Sequence, residues 1–275
     1  MPRTSIDEHE AIRIVPLHIP KPAITTADLK KKSGDEALFK VAAAAPAAKP
    51  NLVYNGGPLI QNVDVFTIFW GANWAKTASY KTLAQNINKF FSGILTSSLI
   101  DQLAEYNTTT PHYTIGHGTL NGTKTLTAHA PASGTSIKDT AIRAALKSWI
   151  ASHTVPPVTA NRLYFIFTDI NVKVIMGGSS SCTSFCGYHN NVGSTYYAVM
   201  PFPGCTGCLG GLSVLDALTA TSSHELCEAI TDPVPGTGWY DQVNGENGDI
   251  CAWNFKKLEG YNVQLEWSNM AGKCV

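Results

Sequence analysis

Three segments are apolar along almost their whole length: Val63–Trp70 (VDVFTIFW), Arg162–Thr168 (RLYFIFT) and Tyr196–Phe202 (YYAVMPF). A strand with one wet face alternates apolar and polar residues, and these do not. Each therefore reads as a strand covered on both faces. Such a sheet needs a layer on either side, and two stretches have the period to supply it. In residues 76–95, Leu83, Ile87, Phe90, Phe91 and Ile94 fall on one helical stripe. In residues 136–152, Ile142, Leu146, Trp149 and Ile150 do the same, with Ser136 placed to cap. A third helix is expected from about Leu212 to Ile230, with Pro233 and Pro235 preventing its continuation. Residues 112–129 alternate around Asn121-Gly122, a hairpin signal. A late strand is expected at Tyr261–Trp267. Helices layered on a sheet define an α/β (α+β) domain with a mixed sheet and a loop-rich C-terminal part.

Residues 1–50 read as an N-terminal extension, a candidate pro-segment and linker. They carry Pro16, Pro20, Pro22, the run Lys30-Lys31-Lys32 and the low-complexity stretch VAAAAPAAKP. Residues 51–275 read as one domain, within the size a single core supports. Charged residues make up only 15%, against roughly 25% in ordinary soluble domains, so the surface must be rich in Ser, Thr, Asn and Gly, as in many secreted proteins. A formal net charge of zero argues against a nucleic-acid or anionic-membrane partner. No apolar run reaches the 18 or so residues of a membrane span. The start, MPRTSIDEHE, is too polar for a signal-peptide core, so export would use a removed leader or another route.

The third helix carries the chemistry, in SSHELCEAITDP (Ser222–Pro233). Four residues advance a helix by about 400°, so His224 and Glu228 project from one face, one turn apart. That spacing offers a cation two ligands. Glu225 lies about 100° around the helix, where it could hold a water and accept its proton. This is the division of labour in zinc peptidases with H-E-x-x-H, here with Glu228 in place of the second histidine. A carboxylate oxygen ligates zinc at nearly the distance of an imidazole nitrogen, at the expense of Lewis acidity. Leu212 to Ser223 contains Asp216 as its only charged residue, so three ionisable groups in five positions look placed, and burying them without a cation is costly. GWYDQVNGENGDICAW downstream offers Asp241, Glu246 and Asp249. Asp249 is favoured as third ligand and Glu246 is second. Asp232, at the helix end, suits local hydrogen bonding.

The segments YNGGPLIQNVDVFTIFWGANW, LYFIFTDINV, FCGYH, PFPGCTGC, HELCEAITDP, GWYD and ENGDIC, with the final cysteine, resemble the EXORDIUM / phosphate-induced protein family, in that family's order. The likeness spans about residues 52–275. It implies a secreted protein of the type that keeps a metal-site pattern, here His224, Glu225, Glu228, Glu246, Asp249 and Cys251. The seven cysteines stand at 182, 186, 205, 208, 227, 251 and 274. C-x3-C followed by C-x2-C invites a zinc-ribbon reading, but the resemblance argues for disulfides. Cys205 and Cys208 are close enough to pair with each other, Cys251 and Cys274 are expected to pair, and Cys227 is the choice for an unpaired thiol. His189, in CGYH, reads either as a locally bonded histidine in a disulfide-pinned loop or as a ligand or transition-state donor. Tyr240, in GWYD, reads either as a hydrogen-bond donor to an oxyanion or as packing. Trp70, Trp74 and Trp253 read as core.

The expectation is a secreted, zincin-like zinc metalloendopeptidase acting on peptide or protein substrates as a monomer. One Zn2+ would be held by His224, Glu228 and Asp249, with Glu225 as general base and Tyr240 assisting. The alternative is a non-catalytic extracellular cell-wall or carbohydrate-associated protein with a structural metal or none.

Overall fold

A computed structural model describes residues 14–18 and 49–275. Six strands form its main sheet: β1 (Ile14–Pro16), β2 (Asn62–Trp70), β3 (Gly116–Leu126), β4 (Arg162–Thr168), β5 (Phe185–Val192) and β6 (Thr195–Met200). Their order across the sheet is β1-β5-β6-β4-β2-β3. The β6/β4, β4/β2 and β2/β3 pairs are parallel, whereas β1/β5 and β5/β6 are antiparallel. The sheet is therefore mixed.

The three apolar segments are its central strands, and the period-2 geometry of each divides its side chains between two cores. Val63, Val65, Phe69, Phe165, Phe167, Ala198 and Met200 face α1 (Ala78–Ile94) and α3 (Val214–Thr231). Phe66, Ile68, Tyr164, Ile166, Tyr197 and Val199 face the other way, with Ile142 and Leu146 of α2 (Asp139–Ala151). The α/β class with a mixed sheet is thus as the sequence predicts, and Trp70 and Trp74 are buried core residues.

Three local expectations differ from the structure. Asn121-Gly122 makes no turn: both lie within the single strand β3, where the register slips between Val65↔Leu120 and Phe66↔Gly122. The extra residue is a bulge on an edge strand, another place where glycine is favoured inside a strand. Ser136 caps nothing, because Ser136–Lys138 pairs in parallel with Lys173–Val174–Ile175 and the helix begins at Asp139. Finally, the fold does not begin at residue 51. Ile14–Pro16 adds to the open edge of β5, with Val15 buried beside the Cys186–Cys208 bridge. Trp253 Nε1 donates to Pro16 O at 2.8 Å. An isolated three-residue strand has no periodicity to betray it. The run Lys30-Lys31-Lys32 and residues 41–48 lie outside the described residues.

The cysteines pair as Cys182–Cys205, Cys186–Cys208 and Cys251–Cys274, and Cys227 is free and buried. C-x3-C and C-x2-C are therefore cross-linked to each other, and neither a local Cys205–Cys208 bridge nor a zinc ribbon forms. Opening the Cys251–Cys274 bridge by a double alanine substitution is expected to lower stability by about 3 kcal/mol, the chain-entropy value for a loop of this size. Chemical denaturation measures it, and a loss below about 1 kcal/mol would show that the bridge does not restrain the unfolded chain. No helix among the described residues is long and apolar enough to cross a membrane.

Candidate metal centre

The sequence makes α3 an internal helix. From Ala217 to Thr231 every residue is buried, which excludes a solvated face around His224. Ser213 caps its start, its hydroxyl accepting from Asp216 N at 3.1 Å. The helix interior is rich in small hydroxyl residues, and several bond to backbone: Thr219 Oγ1 donates to Asn262 O (2.8 Å) and Ser223 Oγ to Ala220 O (2.8 Å). These bonds satisfy hydroxyls that a polar helix carries into a core, although Ser222 Oγ has no partner.

Near its C-terminal end the helix presents His224, Glu225 and Glu228, all with zero exposure. His224 Nε2 lies 2.9 Å from Glu228 Oε1, the one-turn contact the spacing predicts, and 4.0 Å from Asp249 Oδ1. Asp249 comes from a short helix, α4 (Asn247–Ile250), set against α3. Its Oδ2 accepts from Glu246 N (3.1 Å), which leaves Oδ1 turned to the imidazole, while its own N–H donates to Glu228 Oε1 at 3.0 Å. One nitrogen of His224 and one oxygen each of Glu228 and Asp249 lie within 4.8 Å of one another. The close approach depends on Gly248: a Cβ there would stand 2.8 Å from Glu228 Oε1 and 2.9 Å from the His224 ring.

His189 corrects a sequence expectation. It lies in no loop but in the buried strand β5, and it reaches across to the helix. Its Nδ1 donates to Glu225 Oε2 at 3.1 Å and its Nε2 to Asp232 O at 3.2 Å. Glu228 Oε2 lies 3.5 Å from Nδ1, and Glu246 Oε1 lies 3.6 Å from Nε2. Asp232 does what its position suggests, accepting from the N–H groups of Thr237 (3.0 Å) and Gly238 (2.6 Å) at the turn that ends the helix. Tyr240 is buried on a two-residue strand, Trp239–Tyr240, paired with Val53–Tyr54.

Several partners were invisible in the motif. Gln264 Nε2 donates to Gly248 O (2.9 Å) and lies 2.8 Å from His224 Nδ1. Gln264 Oε1 in turn accepts from Trp253 N at 3.3 Å, so the amide is fixed at both ends and holds the His224 ring from behind, leaving Nε2 turned to Glu228 and Asp249. Glu266 is fully buried nearby. The alternation of Asn262, Gln264 and Glu266 in NVQLEW was the available signal: polar residues at i, i+2 and i+4 share a face, and here that face is buried.

The electrostatics follow from crowding. Burial, then Glu228 and other neighbouring acids, hold Glu246 well above the usual carboxylate range, and burial and Glu228 do the same to Asp249. Burial also raises Glu225, against the hydrogen bond from His189. Burial opposes charge on His189, but Glu225 and Glu228 outweigh it and push its pKa up to about 10. Glu228, despite burial, is drawn down to about 2 by the two imidazoles. Five buried side-chain atoms at the centre lack a hydrogen-bond partner: His224 Nε2, Glu225 Oε1, Glu228 Oε2 and both oxygens of Glu246. Orphaned buried acceptors facing imidazoles are the donor set a divalent cation satisfies.

No protein-family model matches the chain, and no curated protein matches it.

Proposed function

We propose that this chain is a secreted, zinc-dependent endopeptidase of zincin-like architecture, related to the EXORDIUM / phosphate-induced proteins. The observation that carries the reading is the convergence of His224 Nε2, Glu228 Oε1 and Asp249 Oδ1, with Glu225 one residue from the first ligand on a helix held rigid by burial. A zinc ion bound there supplies Lewis acidity toward a carbonyl oxygen and lowers the pKa of water. Glu225 accepts the proton of the attacking water and passes it to the departing amine. Burial raises the pKa of Glu225, the direction that makes a carboxylate a better base. His189 orients Glu225 through the 3.1 Å hydrogen bond. Tyr240 is assigned as a donor to the developing oxyanion. Three disulfides support an oxidising compartment and hence export. Asp249 is the one member of this ligand set whose side chain has any exposure, 11%, so a peptide would approach from the α4 side.

The zero exposure of His224, Glu225 and Glu228 favours a second reading, an extracellular binding or wall-associated protein whose metal is structural. Cleavage of a generic unfolded protein substrate, with and without a chelator, separates the two. The peptidase reading expects cleavage that the chelator stops and added zinc restores. Absence of cleavage by zinc-loaded protein would overturn it in favour of the structural metal.

A further inference from the structure

The two oxygens of Glu228 point to different histidines. Oε1 lies 2.9 Å from His224 Nε2, and Oε2 lies 3.5 Å from His189 Nδ1. Beyond His189 stands Glu246, fully buried, with neither carboxylate oxygen hydrogen-bonded. One ligand atom each from His189, Glu228 and Glu246 again lies within 4.8 Å of the others, a second three-residue group that shares only Glu228 with the first.

Ordinary packing does not account for this arrangement. A buried carboxylate normally finds N–H or O–H donors, as Asp232 does with the turn after α3. Glu246 stands as the N-cap of α4 in a capping box with Asp249, yet neither of its oxygens has a donor in hydrogen-bond geometry. The Asp249 N–H goes to Glu228 instead. Charge points the same way. Glu225, Glu228, Glu246, Glu266 and Asp249 crowd around His189 and His224, an excess of acid over base that either protons or cations must offset.

We propose that the centre holds two divalent transition-metal ions bridged by the Glu228 carboxylate: one at His224 and Asp249, the other at His189 and Glu246. The proposal rests on the metal-site reading above and extends it. The set of one imidazole and two carboxylates at each position suits Zn2+ or Mn2+, and a shared carboxylate between paired ions is a familiar means of clamping both ends of a displacement reaction. His189 gives up its Nε2 proton on binding, on the side where Glu246 Oε1 lies 3.6 Å away, and its Nδ1–H stays on Glu225 Oε2, which fixes the ring as metal-bound histidines usually are.

The test is equilibrium dialysis of chelator-stripped full-length protein against Zn2+, with elemental analysis of wild type, Glu246→Gln, His189→Ala, Asp249→Asn and His224→Ala. Glu246→Gln keeps volume and removes charge, so it guards against a misfolded His189→Ala. Circular dichroism confirms that each variant is folded. The expected result is two zinc ions per chain in the wild type and one in each variant. A coupled spectrum from the manganese-loaded wild type by electron paramagnetic resonance, replaced by an isolated-ion spectrum in Glu246→Gln, is the second expected signature. One ion in the wild type, kept in Glu246→Gln and lost in His224→Ala, would overturn the second site and leave the first standing. One ion lost in both variants would mean that a single cation draws on both groups and would equally overturn the pair. Absence of zinc from the wild type would sink the first site along with the second.

Discussion

Glu225→Gln is expected to keep its zinc and its fold while hydrolysis falls by about 10²–10⁴, the usual worth of general-base assistance. Glutamine fills the same space and can still accept the N–H of His189 that Glu225 Oε2 accepts at 3.1 Å. It cannot take a proton from water. The side chain is not in either three-residue ligand group, so zinc content reports on the site and rate reports on the base, independently. A loss of rate accompanied by loss of zinc would make Glu225 a structural member of the site. An unchanged rate would remove it from the chemistry.

The second large effect is a stability that runs opposite ways with and without metal. In chelator, Glu246, Asp249 and Glu266 have folded-state pKa values raised by burial. The folded state therefore binds more protons than the unfolded chain above the ordinary carboxylate range, and stability falls as pH rises. His189, raised to about 10, acts in the same sense: its contribution is complete below the unfolded value near 6.5 and is lost as pH climbs toward 10. Glu228 has the reverse sign, since its pKa is lowered to about 2, and it costs stability only below pH about 4.5. Chelated protein should thus melt highest near pH 5 and lose stability toward pH 8, by about 1.4 kcal/mol per pH unit for each net proton. Zinc needs the same groups unprotonated, so its stabilisation should grow over that interval. Calorimetric scans from pH 5 to pH 8 with chelator and with zinc measure both slopes. Parallel curves would mean that the cluster does not bind metal.

Much of this was legible in the sequence. The strands β2, β4 and β6 announce themselves because burial on both faces removes polar residues, and His224 and Glu228 meet because helical spacing leaves them no choice. Asp249 is one of three acids that the downstream segment offers, and its place beside the helix depends on Gly248, whose lack of a Cβ is a tertiary fact. His189 was misplaced in a loop. Local sequence says that a histidine follows Cys186 by three positions, but not that β5 lies against α3. Gln264 and Glu266 fall in the expected strand Tyr261–Trp267, which the structure ends at Gln264, and polar residues on alternate positions ordinarily mean a wet face. The Asn121-Gly122 reading failed because the dipeptide serves a bulge as well as a turn, and only pairing with β2 distinguishes them.

The central claim is that α3 holds a metal ion through His224. Elemental analysis of purified, dialysed wild type and of His224→Ala tests it most directly. Tightly held zinc in the wild type, and one ion fewer per chain in folded His224→Ala, is the predicted result. Equal zinc content in the two proteins, or none in either after exposure to zinc at neutral pH, would contradict it.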